Sequence, residues 1–251
     1  MIGVKLHARR QIRAPFDAAQ SSLGVGWEDD RVTYLFDSRV DAARRLARAL
    51  EFYCGRNPLV LAIPRGAVEM GAVIAEALGG ELDVVLVRKL RAPDNPEFAV
   101  GSVDETGWTY FAAHAREAGA DEAYLAKETA AQLELLHRRR ALYTPARLPV
   151  DRAGRIAIVV DDGIATGASM IAALHAVRAK NPAALVCAVP VAPPASVEYV
   201  RPYADQLVCL QTPREFLAVG QFYRHFPQVE DAAVVALLER RSVKREASLS
   251  H

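Results

Sequence analysis

Ile156–Ser169 reads IAIVVDDGIATGAS, and the rest of the chain is best understood outward from it. Its apolar run, Ile156 to Val160, is long enough for a strand buried on both faces, as in a parallel sheet. Asp161 and Asp162 then stand at the carboxyl end of that strand, where open α/β sheets take their ligands. The turn Gly163-Ile164-Ala165-Thr166-Gly167-Ala168-Ser169 opens a helix expected over Ala168–Lys180 and stopped by Asn181-Pro182. Free backbone N–H groups, the hydroxyls of Thr166 and Ser169, and the positive end of the helix dipole together suit a phosphate.

Two carboxylates beside an anion site repel phosphate unless the ligand also brings hydroxyls or a divalent metal. Carboxylates accept hydrogen bonds from a ribose diol and favour hard cations such as Mg²⁺. Diol, metal and phosphate together describe a ribose 5-phosphate carrying a further group. A P-loop is excluded because no Gly-Lys-Ser/Thr follows a glycine-rich run, and Gly163 and Gly167 have the wrong spacing for a dinucleotide fingerprint.

The 251 residues, 51% of them apolar, are enough for one sizeable α/β core with a small appended region. A net charge of +1 argues against general nucleic-acid binding. No stretch approaches the roughly 18 apolar residues of a membrane span, and the N-terminus lacks a signal-peptide core, so a cytoplasmic protein is expected. Cys54, Cys187 and Cys209 have no metal-ligand spacing and read as thiols in a reducing compartment. His137, next to Arg138–Arg140, reads as a solvated surface residue.

Around the decisive stretch the pattern alternates. Residues 1–30 read as an extended arm, and a helix starts near Asp37 with VDAARRLARALEFY. Leu59–Ile63 is expected as a strand, Ala67–Leu78 as a helix ended by Gly79-Gly80, and Leu82–Val87 as a second strand. Ala99–Val103 and Trp108–Ala112 flank a turn signal and read as a hairpin. A long helix over Asp121–Tyr143, then strands at Arg155–Val160, Ala184–Val191 and Gln206–Leu210, complete a doubly wound, mainly parallel five-stranded sheet. The first and third of these strands should be neighbours across the topological switch, bringing Pro64-Arg65-Gly66-Ala67 opposite the turn after Asp162.

The stretch Ile156–Ser169 resembles the phosphoribosyl pyrophosphate signature of type I phosphoribosyltransferases: a hydrophobic strand, two acids, a spacer, then Thr-Gly-x-Ser. The resemblance implies a domain over 31–240, with a flexible loop at 91–110 and a hood-like segment at 211–228, followed by a tail at 241–251. It implies that Asp161 and Asp162 bind the ribose diol and Mg²⁺, while residues 163–169 hold the 5-phosphate. Arg65 and Gly66, in a loop that often has a cis peptide in this family, are then expected at the pyrophosphate with Arg88 and Lys89. Lys89 is favoured there, and alternation along a strand keeps Arg88 and Lys89 from pointing the same way. Lys89, Asp161 and Asp162 are the expected catalytic residues.

The implied reaction moves ribose 5-phosphate from phosphoribosyl pyrophosphate to a small nitrogen-containing acceptor, in a protein without membrane or nucleic-acid partners and with a homodimer as the assembly. Ala165 occupies the place where hypoxanthine-type relatives carry an aspartate, which disfavours a 6-oxopurine and leaves Glu97, Asp104 or Glu105 to assist. A phosphoribosyl pyrophosphate-binding regulator without transferase activity is the alternative, and a pyrophosphokinase lacks an ATP-phosphate loop. Phe216, Phe222 and Tyr223 read as core rings rather than as a base-stacking platform.

Overall fold

The computed structural model describes residues 34–96, 98–143 and 150–239. The arm at 1–30, the tail at 241–251 and Glu97 lie outside the described residues. Helix α1 (Arg39–Ala49) buries Ala42, Ala43, Leu46 and Ala47 on one face. Ser38 is its cap: the Ser38 hydroxyl accepts the Asp41 N–H at 3.3 Å.

Strand β1 (Leu59–Ala62), helix α2 (Ala67–Leu78) and strand β2 (Glu81–Val84) form the first crossover. Strands β3 (Val87–Arg91), β4 (Ala99–Asp104) and β5 (Thr109–Phe111) follow, then helix α3 (Glu122–Tyr143). The chain continues with β6 (Ile156–Val160), α4 (Ala168–Arg178), β7 (Ala184–Val191), α5 (Pro194–Val200) and β8 (Gln206–Gln211). Residues 231–239 are helical.

The main sheet has the order β2-β1-β6-β7-β8, and all its pairings are parallel. Successive residues of its central strands go to opposite faces, as the pleat requires. Val60, Ala62, Ile158, Val160, Val186 and Ala188 join the core on the side of α1 and α2. Leu59, Leu61, Ala157, Val159, Leu185, Cys187 and Val189 join the core built around α4. Burial on both faces is why these strands read as unbroken apolar runs. Each Val, Leu or Ile among them contributes about 1.5–3 kcal/mol when fully buried.

The expected second strand, Leu82–Val87, is divided. After Val84 one more parallel bond forms, from Val85 N–H to Ala62 O at 3.0 Å, and the backbone then leaves the main sheet. Val87–Arg91 pairs antiparallel with β4 in a separate three-stranded sheet, β3-β4-β5. The segment Leu82–Val87 contains no Gly or Pro to mark that exit, so its pattern alone could not show it. Much of the segment 91–110 is therefore a β-ribbon.

Candidate active site

Register places the site. Ala62 lies opposite Val160, and Ile63 N–H donates to Val160 O at 3.0 Å, so the chain leaves β1 and β6 side by side. One exit carries Pro64-Arg65-Gly66, where the Pro64–Arg65 peptide is cis. The other carries Asp161-Asp162 and the turn into α4. As the chain order implied, the two loops meet.

They meet closely at Gly66. A Cβ built there would lie 2.2 Å from Asp162 Oδ2 and 3.1 Å from Arg39 Nε. Gly66→Ala is therefore expected to displace the Asp162 carboxylate and weaken ligand binding at the acid pair, measured by calorimetric titration; an unchanged affinity would count against the contact.

Asp162 is held by two groups, Arg39 at its carboxylate and Tyr223 at its carbonyl. Arg39 Nε donates to its Oδ2 at 2.8 Å, and Arg39 Nη1 donates to Pro227 O at 2.7 Å. The Arg39 guanidinium also lies over the Phe226 ring, 3.7 Å from its centroid. The Tyr223 hydroxyl donates to the Asp162 carbonyl at 2.6 Å, and Tyr223 packs between Phe36 and Phe226. Arg39 was not anticipated. A signal was present: it stands on the buried stripe of α1 with Ala42, Ala43 and Leu46, where an unpaired cation has no place.

Asp161 has fewer partners. Burial first, and the charge of Asp162 second, push its carboxyl well above the usual aspartate range, while the Asp162 N–H, which donates to Asp161 Oδ1 at 2.9 Å, and then the charges of Lys89 and Arg39 offset part of that. Burial also raises the Asp162 carboxyl, and Arg39 pulls it back through its charge and hydrogen bond.

Two cavities flank this pair. One, of about 150 Å³, is lined by Lys89, Asp161, Gly163, Ile164, Ala165, Thr166, Gly167, Ala168, Ser169, Met170 and Val219. Gly167 (φ 88°) precedes α4 and no side chain caps that helix, so its first N–H groups are available to a ligand. Val219 closes the turn from the C-terminal segment: a Cβ on Gly163 would lie 2.6 Å from Val219 Cγ1. The other cavity, of about 300 Å³, is lined by Arg39, Arg65, Gly66 and Phe226–Val229. Arg65 stands 3.6 Å from Glu230.

The structure thus brings Lys89, Asp161 and residues 163–169 together, with Arg65 and Gly66 across Asp162. It sets Arg88 apart: its Nε donates to Gln132 Oε1 on α3, and it lines neither cavity. Nor do Asp104 and Glu105 serve the cleft. Asp104 is buried and accepts from Thr106 N–H, Thr106 Oγ1 and Trp108 N–H, while Glu105 is paired with Arg140 at 2.6 Å. Phe222 and Tyr223 are core residues, as expected. His137 is exposed and meets the Glu105 carbonyl at 3.1 Å. Among the described residues no group of three His, Cys, Asp or Glu forms a metal cluster. Nor, among them, is any helix long and apolar enough to cross a membrane.

A parallel sheet in this order, with an acid pair and an uncapped helix start at its switch point, defines a phosphoribosyltransferase-type domain. The phosphoribosyl transferase domain model matches residues 34–225, and the chain belongs to that family. A Mycobacterium tuberculosis protein bearing a phosphoribosyl transferase name is 42% identical over 207 residues, which cover 82% of this chain and 47% of the relative. The chain therefore spans about half the length of the curated relatives it matches. The crystal structure of TT1426 from Thermus thermophilus is 45% identical, with a TM-score of 0.71, covering 82% of this chain and 98% of that one.

Proposed function

We propose that the protein transfers ribose 5-phosphate from phosphoribosyl pyrophosphate to a small nitrogen nucleophile, releasing pyrophosphate. The observation that carries this reading is the juxtaposition of Asp161 with the uncapped start of α4 in one cavity. The N–H groups of residues 165–169 and the hydroxyls of Thr166 and Ser169 hold the 5-phosphate, supplying binding energy remote from the reacting carbon.

Asp161 and Asp162 accept from the ribose hydroxyls. As the bond to pyrophosphate lengthens, positive charge grows on the ring, and the two carboxylates favour it electrostatically. Arg39 favours the charged form of Asp162 and fixes its direction while that charge develops. Arg65 and Gly66 meet the leaving group on one side of the acid pair and Lys89 on the other. Arg88 is not assigned to it.

The donor set fits Mg²⁺ in a limited way. Two adjacent carboxylates, one engaged by Arg39, suit a cation that takes its other ligands from substrate oxygens and water. When bound, Mg²⁺ would neutralise charge on the pyrophosphate, with Asp161 its best-placed protein ligand. No carboxylate of the described cleft is left over as a general base. That function is worth roughly 10²–10⁴-fold, a fraction of typical enzymatic acceleration.

The test is a screen of nucleobases and other nitrogen nucleophiles for pyrophosphate release from phosphoribosyl pyrophosphate with Mg²⁺. Release with one acceptor class, and loss of turnover in Lys89→Ala exceeding its loss of substrate affinity, is the expected result. Tight binding without release for every acceptor would favour the regulatory alternative.

A further inference from the structure

The backbone from Asp162 to Thr166 is tied from behind by groups far away in the chain. The Tyr223 hydroxyl donates to Asp162 O, the Ile164 N–H donates to Val191 O at 2.9 Å, and the Ser196 hydroxyl donates to Ala165 O at 2.5 Å. Ser196 is buried on α5, on the side of Val197 and Val200. A helical serine commonly turns its hydroxyl back to a carbonyl of the preceding helical turn. This one reaches a carbonyl 31 positions away instead. Helix α5 lies directly against the ligand turn: a Cβ on Gly167 would fall 2.8 Å from Val200 Cγ2 and 3.5 Å from Tyr199 Cδ1.

The consequence falls on the adjoining N–H. The Ala165–Thr166 peptide is trans, and a trans peptide points its C=O and its N–H in opposite directions. With Ala165 O drawn toward α5, the Thr166 N–H is turned away from it. No residue of α5 lines the cavity of the turn, whereas Ala165, Thr166 and Gly167 do. The Thr166 N–H is thus presented on the cavity side, and among the described residues it meets no acceptor.

We propose that Ser196 is a positioning residue for this turn, aiming the Thr166 N–H at the ligand's phosphate by holding the Ala165 carbonyl. The inference rests on the assignment of residues 163–169 to the 5-phosphate and adds a side chain that touches no substrate. Without the tie the peptide is free to rotate, and the Ala165 oxygen, which carries partial negative charge, can face the anion in place of a donor. Donors aimed in advance need no reorganisation when the anion arrives. One hydrogen bond to a charged group is at stake, which sets the expected loss at about tenfold in affinity (~1.4 kcal/mol).

The test is an orthophosphate titration of the full isotope-labelled chain in metal-free buffer, followed by NMR at its backbone amides. In wild type the amides of residues 165–169 should shift together, Thr166 downfield as its N–H meets the anion. Ser196→Ala should bind about tenfold more weakly, and at saturation the Thr166 shift should be lost while that of Ser169 persists. A merely structural serine would lower the melting point without altering that residue-specific signature. If Ser196→Ala fails to fold, Ser196→Cys, a weaker donor of similar size, should lose about threefold in affinity. Wild-type affinity with an unchanged Thr166 shift in either variant would overturn the proposal. Absence of any shift over residues 165–169 in wild type would overturn it together with the phosphate assignment of the turn. Failure of the transferase reading alone would show as no pyrophosphate release with any acceptor, the effect of Ser196 on orthophosphate remaining.

Discussion

Asp161→Asn should abolish Mg²⁺-dependent binding of phosphoribosyl pyrophosphate while making the metal-free protein more stable. The first effect follows from the loss of a charged acceptor for the sugar and of the best-placed ligand for the metal. Hydrogen bonds to charged groups contribute about 1.5–3 kcal/mol each, so a loss of roughly 100-fold or more is expected by calorimetry. The second effect follows from the local electrostatics. Burial and the neighbouring Asp162 charge raise the Asp161 carboxyl, so ionising it in the folded chain costs more than in the unfolded one. The favourable contribution of this group is complete below the ordinary aspartate value of 3.8 and is lost as pH rises through the elevated folded value.

In metal-free buffer the variant should therefore melt above wild type at neutral pH, by roughly 2–4 °C per kcal/mol relieved, and the gap should close on acidification. Equal melting temperatures at neutral pH would show that Asp161 is not under electrostatic strain. Retained affinity would remove it from the site.

Arg39→Ala should have the larger cost to stability. It removes the partner of a half-buried carboxylate, leaves the Pro227 carbonyl without its donor, and strips the cation from the Phe226 face. Breaking one side of such a pair costs about 3–5 kcal/mol, which in a domain of this size lowers the melting point by of order 10 °C. Below that temperature the folded variant should still bind phosphoribosyl pyrophosphate more weakly, because Asp162 has lost the group that aims it. Arg39→Lys should recover only part of both losses, since a point charge cannot bond Asp162 and Pro227 while lying flat on a ring. A melting point within about 2 °C of wild type would refute this role for Arg39.

The tie also alters what Asp162→Asn would report. The acid pair invites the expectation that both aspartates can be neutralised without structural cost. Asp161 meets that expectation. Asp162 does not, because neutralising it strands the Arg39 charge beside Gly66.

Local periodicity and motif chemistry were enough for the parallel sheet, the neighbouring of β1 and β6, and the turn from Asp161 to Ser169. Such features are written in consecutive residues: an unbroken apolar run for a strand buried on both faces, carboxylates at its end, a glycine where the helix begins. Tertiary structure alone decided what crosses between distant segments. It turned Val87–Arg91 out of the main sheet, sent Arg88 to Gln132 while Lys89 stayed with Asp161, and bound Arg39 to an aspartate more than a hundred residues away. The physical reason is that a side chain's partner is chosen by packing after the elements dock, and one strand's pattern is equally compatible with either sheet until its neighbours are in place.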